Sequence, residues 1–201
     1  MITIALPKGR IAEQTLKKFE KAFGEKFEFE NRKLILKKDN FRFLNVRNQD
    51  VPTYVMYGAA DLGVVGQDVL EEKGYDLIKL LDLKIGKCKV AIGYKKGKKI
   101  DWNRSSIKVA TKHTTIAKKF FESKAMAVEL VKLYGSIELA PLVGLSDCIV
   151  DIVETGETMR QNGLEVGEII LDSSAQLIAN KNSYYLKKEA ILALRDKLEL
   201  T

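Results

Sequence analysis

The feature that most constrains this chain is a rhythm: short apolar runs of strand length, each followed by a segment with helical spacing. Ile2 to Leu6 is such a run, broken by Pro7-Lys8-Gly9-Arg10. Ile11 to Phe23 then sets Ile11, Leu16, Phe19 and Phe23 on one helical face before Gly24. Lys33 to Leu36 and Phe41 to Arg47 read as extended segments around a turn at Asp39-Asn40. Asp50 is placed to cap a helix with Pro52 in its first turn. Strands are expected at 60–65, 77–81, 87–94, 107–110, 128–133, 148–153, 168–172 and 176–180. Helices are expected at 68–73, 115–123, 136–142 and 155–161, with a last helix capped by Ser183 and running to about Leu198. Strands alternating with helices predict an α/β fold with a largely parallel sheet.

Composition narrows the function classes. The 201 residues allow one domain or two small ones. At 46% hydrophobic and 30% charged, the chain is neither disordered nor fibrous. No apolar run approaches the ~18–20 residues of a membrane span, and the start lacks the pattern of a signal peptide. Cys88 and Cys148 show no metal-ligand spacing. A reduced, cytoplasmic setting is the expectation. The net charge of +7 favours anionic partners, either nucleic acid or phosphorylated small molecules. Aromatics are not interleaved with the basic residues as on a single-strand binding platform. Lys95, Lys96, Lys98 and Lys99 flank Gly97 in an expected hairpin turn and read as a solvated surface.

Three segments carry candidate chemistry. In Asp151-Ile152-Val153-Glu154-Thr155-Gly156-Glu157-Thr158-Met159 an apolar strand runs into acidic residues, then a Thr-Gly-x-Thr turn, then a helix. Backbone amides at such a turn suit a phosphate, Thr155 and Thr158 add hydroxyls, and the carboxylates suit sugar hydroxyls or magnesium. A sugar phosphate satisfies both halves, while a helix capped by Thr155 is the ordinary alternative. In Leu6-Pro7-Lys8-Gly9-Arg10, Lys8 and Arg10 stand at the carboxyl end of a strand, where open α/β sheets bind ligands. The full Walker loop is absent. In the third segment Arg47 ends a strand before Asp50-x-Pro, and its fork suits a phosphate; Arg32 is a further cation at a strand start. His113, the lone histidine, has no nucleophile elbow beside it and reads as the start of a helix. Cys88, between Lys87 and Lys89, reads as a strand residue.

Taken in order, these segments resemble the ATP phosphoribosyltransferase family. The resemblance runs through Ala5 to Arg10, Asp50 to Val55, Gly58 to Gly66, Gly86-Lys87-Cys88 and Val109 to Lys112. Its most specific block starts at Glu138, passes Gly144, Ser146, Ile149 and Asp151, and ends at Thr155-Gly156-Glu157-Thr158-Met159. It departs from the family pattern at Glu157, where a basic residue is common, and at His113, where a tyrosine is common.

The resemblance implies a two-lobed, periplasmic-binding-protein-like (type II) fold with a mixed, largely parallel sheet in each lobe. Lobe I would be 1–92 plus 172–201 and lobe II 93–171, with both substrates in the cleft between them. It implies transfer of the phosphoribosyl group of phosphoribosyl pyrophosphate to N1 of ATP, the first step of histidine biosynthesis. Arg47, Arg32 and Lys8 would be catalytic. Arg10, Asp151, Glu154, Thr155, Gly156, Glu157 and Thr158 would bind substrate. Magnesium would be held mainly by substrate phosphates. The chain length resembles the short form, which implies a histidyl-tRNA-synthetase-like regulatory subunit, a homodimer within a hetero-oligomer, and little direct inhibition by histidine. Two other classes stay open: a non-catalytic small-ligand binder of the same fold, and a nucleic-acid-binding module resting on charge alone.

Overall fold

The computed structural model describes residues 1–98 and 100–201; the expected role of Lys99 falls outside them. The chain divides into two compact units, Met1–Gly86 with Ser174–Thr201, and Lys87–Ser173. These divisions compare with the expected boundaries at 92 and 172. Each unit has its own sheet.

In the first unit the elements are β1 (Ile2–Pro7), α1 (Arg10–Phe23), β2 (Ile35–Lys38), β3 (Phe41–Val46), α2 (Val51–Met56), β4 (Leu62–Gly66), α3 (Gln67–Lys73) and β5 (Ile78–Asp82). Numbering through the second unit gives β6 (Cys88–Lys95), β7 (Ile107–Thr111), α4 (Thr114–Ser123), β8 (Val128–Lys132), β9 (Cys148–Val153), α5 (Glu157–Gln161) and β10 (Leu164–Ser173). The chain then returns to the first unit with β11 (Ala175–Ala179), α6 (Lys181–Leu186) and α7 (Lys188–Glu199).

The first sheet runs β2-β3-β1-β4-β11-β5 and the second β10-β6-β9-β7-β8. Both are mixed, and each is built on a parallel core: β3, β1 and β4 in one, β9, β7 and β8 in the other. Antiparallel pairings add β2 at one edge of the first sheet and β6 and β10 at one edge of the second, and in the first sheet they insert β11 between β4 and β5. Strands β1, β4 and β9 are buried along nearly their whole length, which is why they read as apolar runs rather than alternating ones. In the first unit, Ile4, Leu6, Leu62, Val64 and Leu177 pack with Phe19 of α1 and Ile191 and Leu194 of α7. The opposite face, through Ala5, Val65 and Ile178, packs against Val51 and Val55 of α2 and Val69 of α3. In the second unit, Val109, Cys148 and Val150 pack on Ile116 and Phe121 of α4. Its other face, through Ala91, Ala110 and Ile149, takes Ile137 and Met159.

Four local expectations are corrected. Asp50 stands at the head of α2 without a side-chain capping bond, because a 3-10 turn at Asn48–Asp50 runs straight into the helix and leaves it in helical conformation. Ser183 is not a cap. Asn180 is: its side-chain oxygen accepts the Ser183 amide at 3.0 Å, and the expected single helix breaks at Lys187 into α6 and α7. The helix expected at 136–142 is only a 3-10 turn, Ile137–Leu139. The basic stretch after β6 does turn at Gly97, yet it joins no hairpin, since β9 lies between β6 and β7.

The discontinuous first unit is tied together at Asp61, which is 8% exposed. Its carboxylate accepts the Thr3 amide at 2.8 Å and the Lys187 ammonium at 2.8 and 2.9 Å. Burial pushes the Asp61 pKa up, but the Lys187 ammonium, the Thr3 amide and the Ser183 hydroxyl outweigh it and hold it below the usual value. Among the described residues no helix is long and apolar enough to cross a membrane.

Candidate functional site

Because β1 and β3 are parallel, their carboxyl ends form one rim of the first sheet. The Lys8 amide donates to the Val46 carbonyl at 2.9 Å, which sets the turn after β1 beside the residue that follows β3. That residue is Arg47, exposed and extended. Gly9 turns the chain at φ 91°, and Arg10 opens α1. Strand β2 is antiparallel to β3, and the Asn45 amide donates to the Leu34 carbonyl at 2.8 Å. The segment leading into β2, with Arg32 in a turn beside Asn31, therefore reaches the same rim. Topology thus gathers Lys8, Arg10, Arg32 and Arg47 at one end of one sheet. No carboxylate of the described residues pairs with Lys8, Arg32 or Arg47. Such uncompensated cations on exposed turns are available to an anionic ligand.

The second unit repeats the logic with different chemistry. Strands β7, β8 and β9 are parallel, so residues after β7 and β9 share a rim. Asp151, 9% exposed, lies within β9, and its Oδ1 accepts the Ile152 amide at 2.8 Å. Lys112, the residue after β7, places its ammonium 3.1 Å from the same oxygen. Glu154, Thr155 and Gly156 turn from β9 into the five-residue α5. The Thr155 hydroxyl accepts the Glu157 amide at 3.3 Å, but the cap position itself is Gly156, at φ 79°. A side chain there would be strained by that angle and would also press Val166 Cγ2 at 3.3 Å, so glycine is required twice over. Behind the turn, Met159 is 3% exposed and packs where Gly93 leaves room; a Cβ on Gly93 would lie 2.9 Å from its sulfur.

The Glu157 carboxylate is neutralised locally. The Arg160 Nε and Nη2 donate to it at 2.6–2.9 Å, and Gln161 Nε2 donates at 2.8 Å. A cation one helical turn later thus covers the acidic side chain at the head of α5. His113 is fully buried at the head of α4, where its amide donates to the Thr111 hydroxyl at 2.8 Å. The cysteines are free thiols, and burial pushes the Cys148 pKa up to about 12. Sequence reasoning assigned no role to Lys112. Its position one residue past a core strand, matching Glu154 after β9, was the available signal; its partner becomes visible only with the β7–β9 pairing.

Two compact α/β units, each with a mixed sheet built on parallel strands, define the class of fold. The *Escherichia coli* periplasmic aliphatic sulphonate binding protein SsuA has this fold, with a TM-score of 0.64, 13% identity, and coverage of 98% of this chain and 70% of that one. A model of the ATP phosphoribosyltransferase family matches residues 47–200, and the chain belongs to that family. It is 67% identical to an ATP phosphoribosyltransferase of *Sulfurovum* sp. over 99% of this chain and 97% of that one. It is 65% identical to one from *Wolinella succinogenes* over 97% and 95%. The solved ATP phosphoribosyl transferase (HisG:HisZ) complex of *Thermotoga maritima* contains a chain 35% identical, with a TM-score of 0.87, covering 99% of this chain and 97% of that one.

Proposed function

We propose that this chain catalyses its family's reaction by dividing the labour between its two rims. The adenine N1 lone pair of ATP attacks C1 of phosphoribosyl pyrophosphate. The bond from C1 to the pyrophosphate oxygen breaks, and pyrophosphate leaves with its electron pair. The product is N1-(5-phosphoribosyl)-ATP, the first intermediate of histidine biosynthesis. The observation that carries this reading is the gathering, in a member of this family, of cations on one parallel-strand rim and of the Thr-Gly-x-Thr turn on the other.

The turn at Glu154 to Thr158 cradles the 5-phosphate through its amides and the Thr155 and Thr158 hydroxyls, with Gly156 allowing close approach. Asp151 accepts from the ribose hydroxyls. Glu157 contributes its backbone, since its carboxylate is held by Arg160. Lys8, Arg32 and Arg47 face the pyrophosphate and the ATP phosphates, and Arg10 assists at the head of α1. The nucleophile is a neutral ring nitrogen, so orientation and charge stabilisation on the leaving group supply the catalysis.

Among the described residues no group of three or more His, Cys, Asp or Glu gathers as a metal site. On the second rim, Asp151 and Glu157 already carry ammonium and guanidinium partners. This donor set fits magnesium arriving on the substrate phosphates, which it would neutralise while keeping most of its own waters. The solved HisG:HisZ complex of Thermotoga maritima supports a HisZ-like regulatory subunit joined to this chain in a hetero-oligomer.

The test is purified chain with ATP, phosphoribosyl pyrophosphate and magnesium, alone and with that subunit. Coupled appearance of the N1-ribosyladenine absorbance and of pyrophosphate is expected. Silence in both preparations, with retained ligand binding, would make the chain a binding protein.

A further inference from the structure

We propose that Lys112 is a positioning residue for the phosphoribosyl donor: it holds Asp151 by one oxygen so that the other accepts from the ribose hydroxyls. The inference rests on the sugar-binding role given to Asp151 above. Its basis is the asymmetry of one carboxylate. Asp151 Oδ1 accepts the Ile152 amide at 2.8 Å and lies 3.1 Å from Lys112 Nζ in an ion pair, while Oδ2 has no donor among the described residues. The side chain of Asp151 is 13% exposed and that of Lys112 36% exposed, so the pair sits at the edge of the packed interior. A carboxylate fixed at one oxygen and open at the other is a rigid acceptor with a defined direction.

The fold builds this deliberately. Thr111 pairs with Val150 across β7 and β9, which puts the next residue of each strand, Lys112 and Asp151, side by side. The Thr111 hydroxyl donates to the Val150 carbonyl at 2.6 Å and accepts the His113 amide, clamping the chain on both sides of Lys112. Asp151 shares its strand face with Ile149 and Val153, the face on which Met159 of the phosphate turn packs. A phosphate-binding role for Lys112 is disfavoured by the same geometry. Leaving Asp151 for a phosphate would strand a nearly buried carboxylate beside an incoming polyanion, the arrangement that costs most.

The experiment compares wild type with Lys112→Met, Lys112→Gln, Lys112→Arg, Asp151→Asn and the Lys112→Met/Asp151→Asn double variant. KM and kcat are read for each substrate, Kd for phosphoribosyl pyrophosphate is read by calorimetry, and thermal melting checks folding. Lys112→Met and Lys112→Gln should raise KM and Kd for phosphoribosyl pyrophosphate about tenfold, as expected for loss of a charge-assisted contact, with the ATP KM changed by less than about twofold. Both should also lose discrimination against the 2-deoxyribose donor, and Lys112→Arg should recover most of the loss. The double variant should be no worse than Asp151→Asn, since both act on one contact. Additive losses with weakened pyrophosphate inhibition would place Lys112 on a phosphate and overturn the proposal. So would an unchanged Kd in Lys112→Met. Asp151→Asn with an unchanged Kd would instead overturn the sugar-binding role of Asp151 itself.

Discussion

The two parallel-strand rims have the same topological origin and opposite character. On the first, Lys8, Arg32 and Arg47 stand on exposed turns with no carboxylate partner among the described residues. On the second, Asp151 is held by Lys112, Glu157 by Arg160 and Gln161, and the Thr155 hydroxyl by the Glu157 amide. One rim presents uncompensated charge on long side chains; the other has its charges paired off and presents shaped backbone. Charge of the first kind responds most to a group whose own charge grows during reaction, as a departing pyrophosphate does. A preformed hydrogen-bonding surface responds to what a ligand looks like before reaction begins.

Substitutions on the two sides should therefore fail in different ways. The largest effect is expected from Arg47→Ala, which should cost about 3–4 kcal/mol in transition-state stabilisation, by analogy with oxyanion donors, with unchanged circular dichroism. It should appear mainly in kcat, and a loss confined to KM would erase the distinction between the rims. Next comes Lys187→Met, away from both rims, which leaves the Asp61 carboxylate short of its ammonium. A loss of about 2–3 kcal/mol in denaturant unfolding is expected, with the kcat of the folded enzyme retained.

The same Asp61 carboxylate gives a pH signature. Its folded pKa is depressed, so its stabilisation is present above the unfolded value, near 3.8, and is lost as pH falls through the folded value. The melting difference between wild type and Asp61→Asn should be full at neutral pH and vanish in strong acid. Gly156→Ala forces a side chain into a left-handed turn and against Val166. About 1–2 kcal/mol is expected, read as a raised KM for phosphoribosyl pyrophosphate with a smaller change in kcat. A comparable loss of about 1–2 kcal/mol, in stability and in neither KM, is expected from Asn180→Ala, which removes a helix cap together with its bonds to the Val55 and Met56 carbonyls.

Most of the secondary structure was legible because it is written locally. Gly24 and Gly74 end α1 and α3 in left-handed conformation where helical spacing stops. The turn from β9 into α5 was legible for the same reason, since Asp151 to Met159 is one contiguous stretch. What escaped depends on distant partners. Asn180 outcompetes Ser183 as a cap because its amide also donates to the Val55 and Met56 carbonyls, more than 120 residues away, binding α6 to the end of α2. The Lys112–Asp151 pair needs the register of two strands that no spacing reveals. The insertion of β11 between β4 and β5 is likewise a tertiary choice, made by apolar residues that would suit any central strand.

That insertion sets an order of assembly on the ribosome. The second unit is one uninterrupted stretch and can close as soon as its 87 residues, Lys87–Ser173, have emerged. The first unit, though begun earlier, waits with a gap in its sheet, because the strand that fills it is translated only after the whole second unit. During that interval the facing edges of β4 and β5 have unmet backbone groups and open apolar faces, the condition in which nascent chains pair wrongly. Translation at ~5–20 residues per second makes this exposure a matter of seconds. The half of the molecule that starts first is therefore the half that finishes last, and its late-arriving strand is where a synthesis-coupled folding defect would originate.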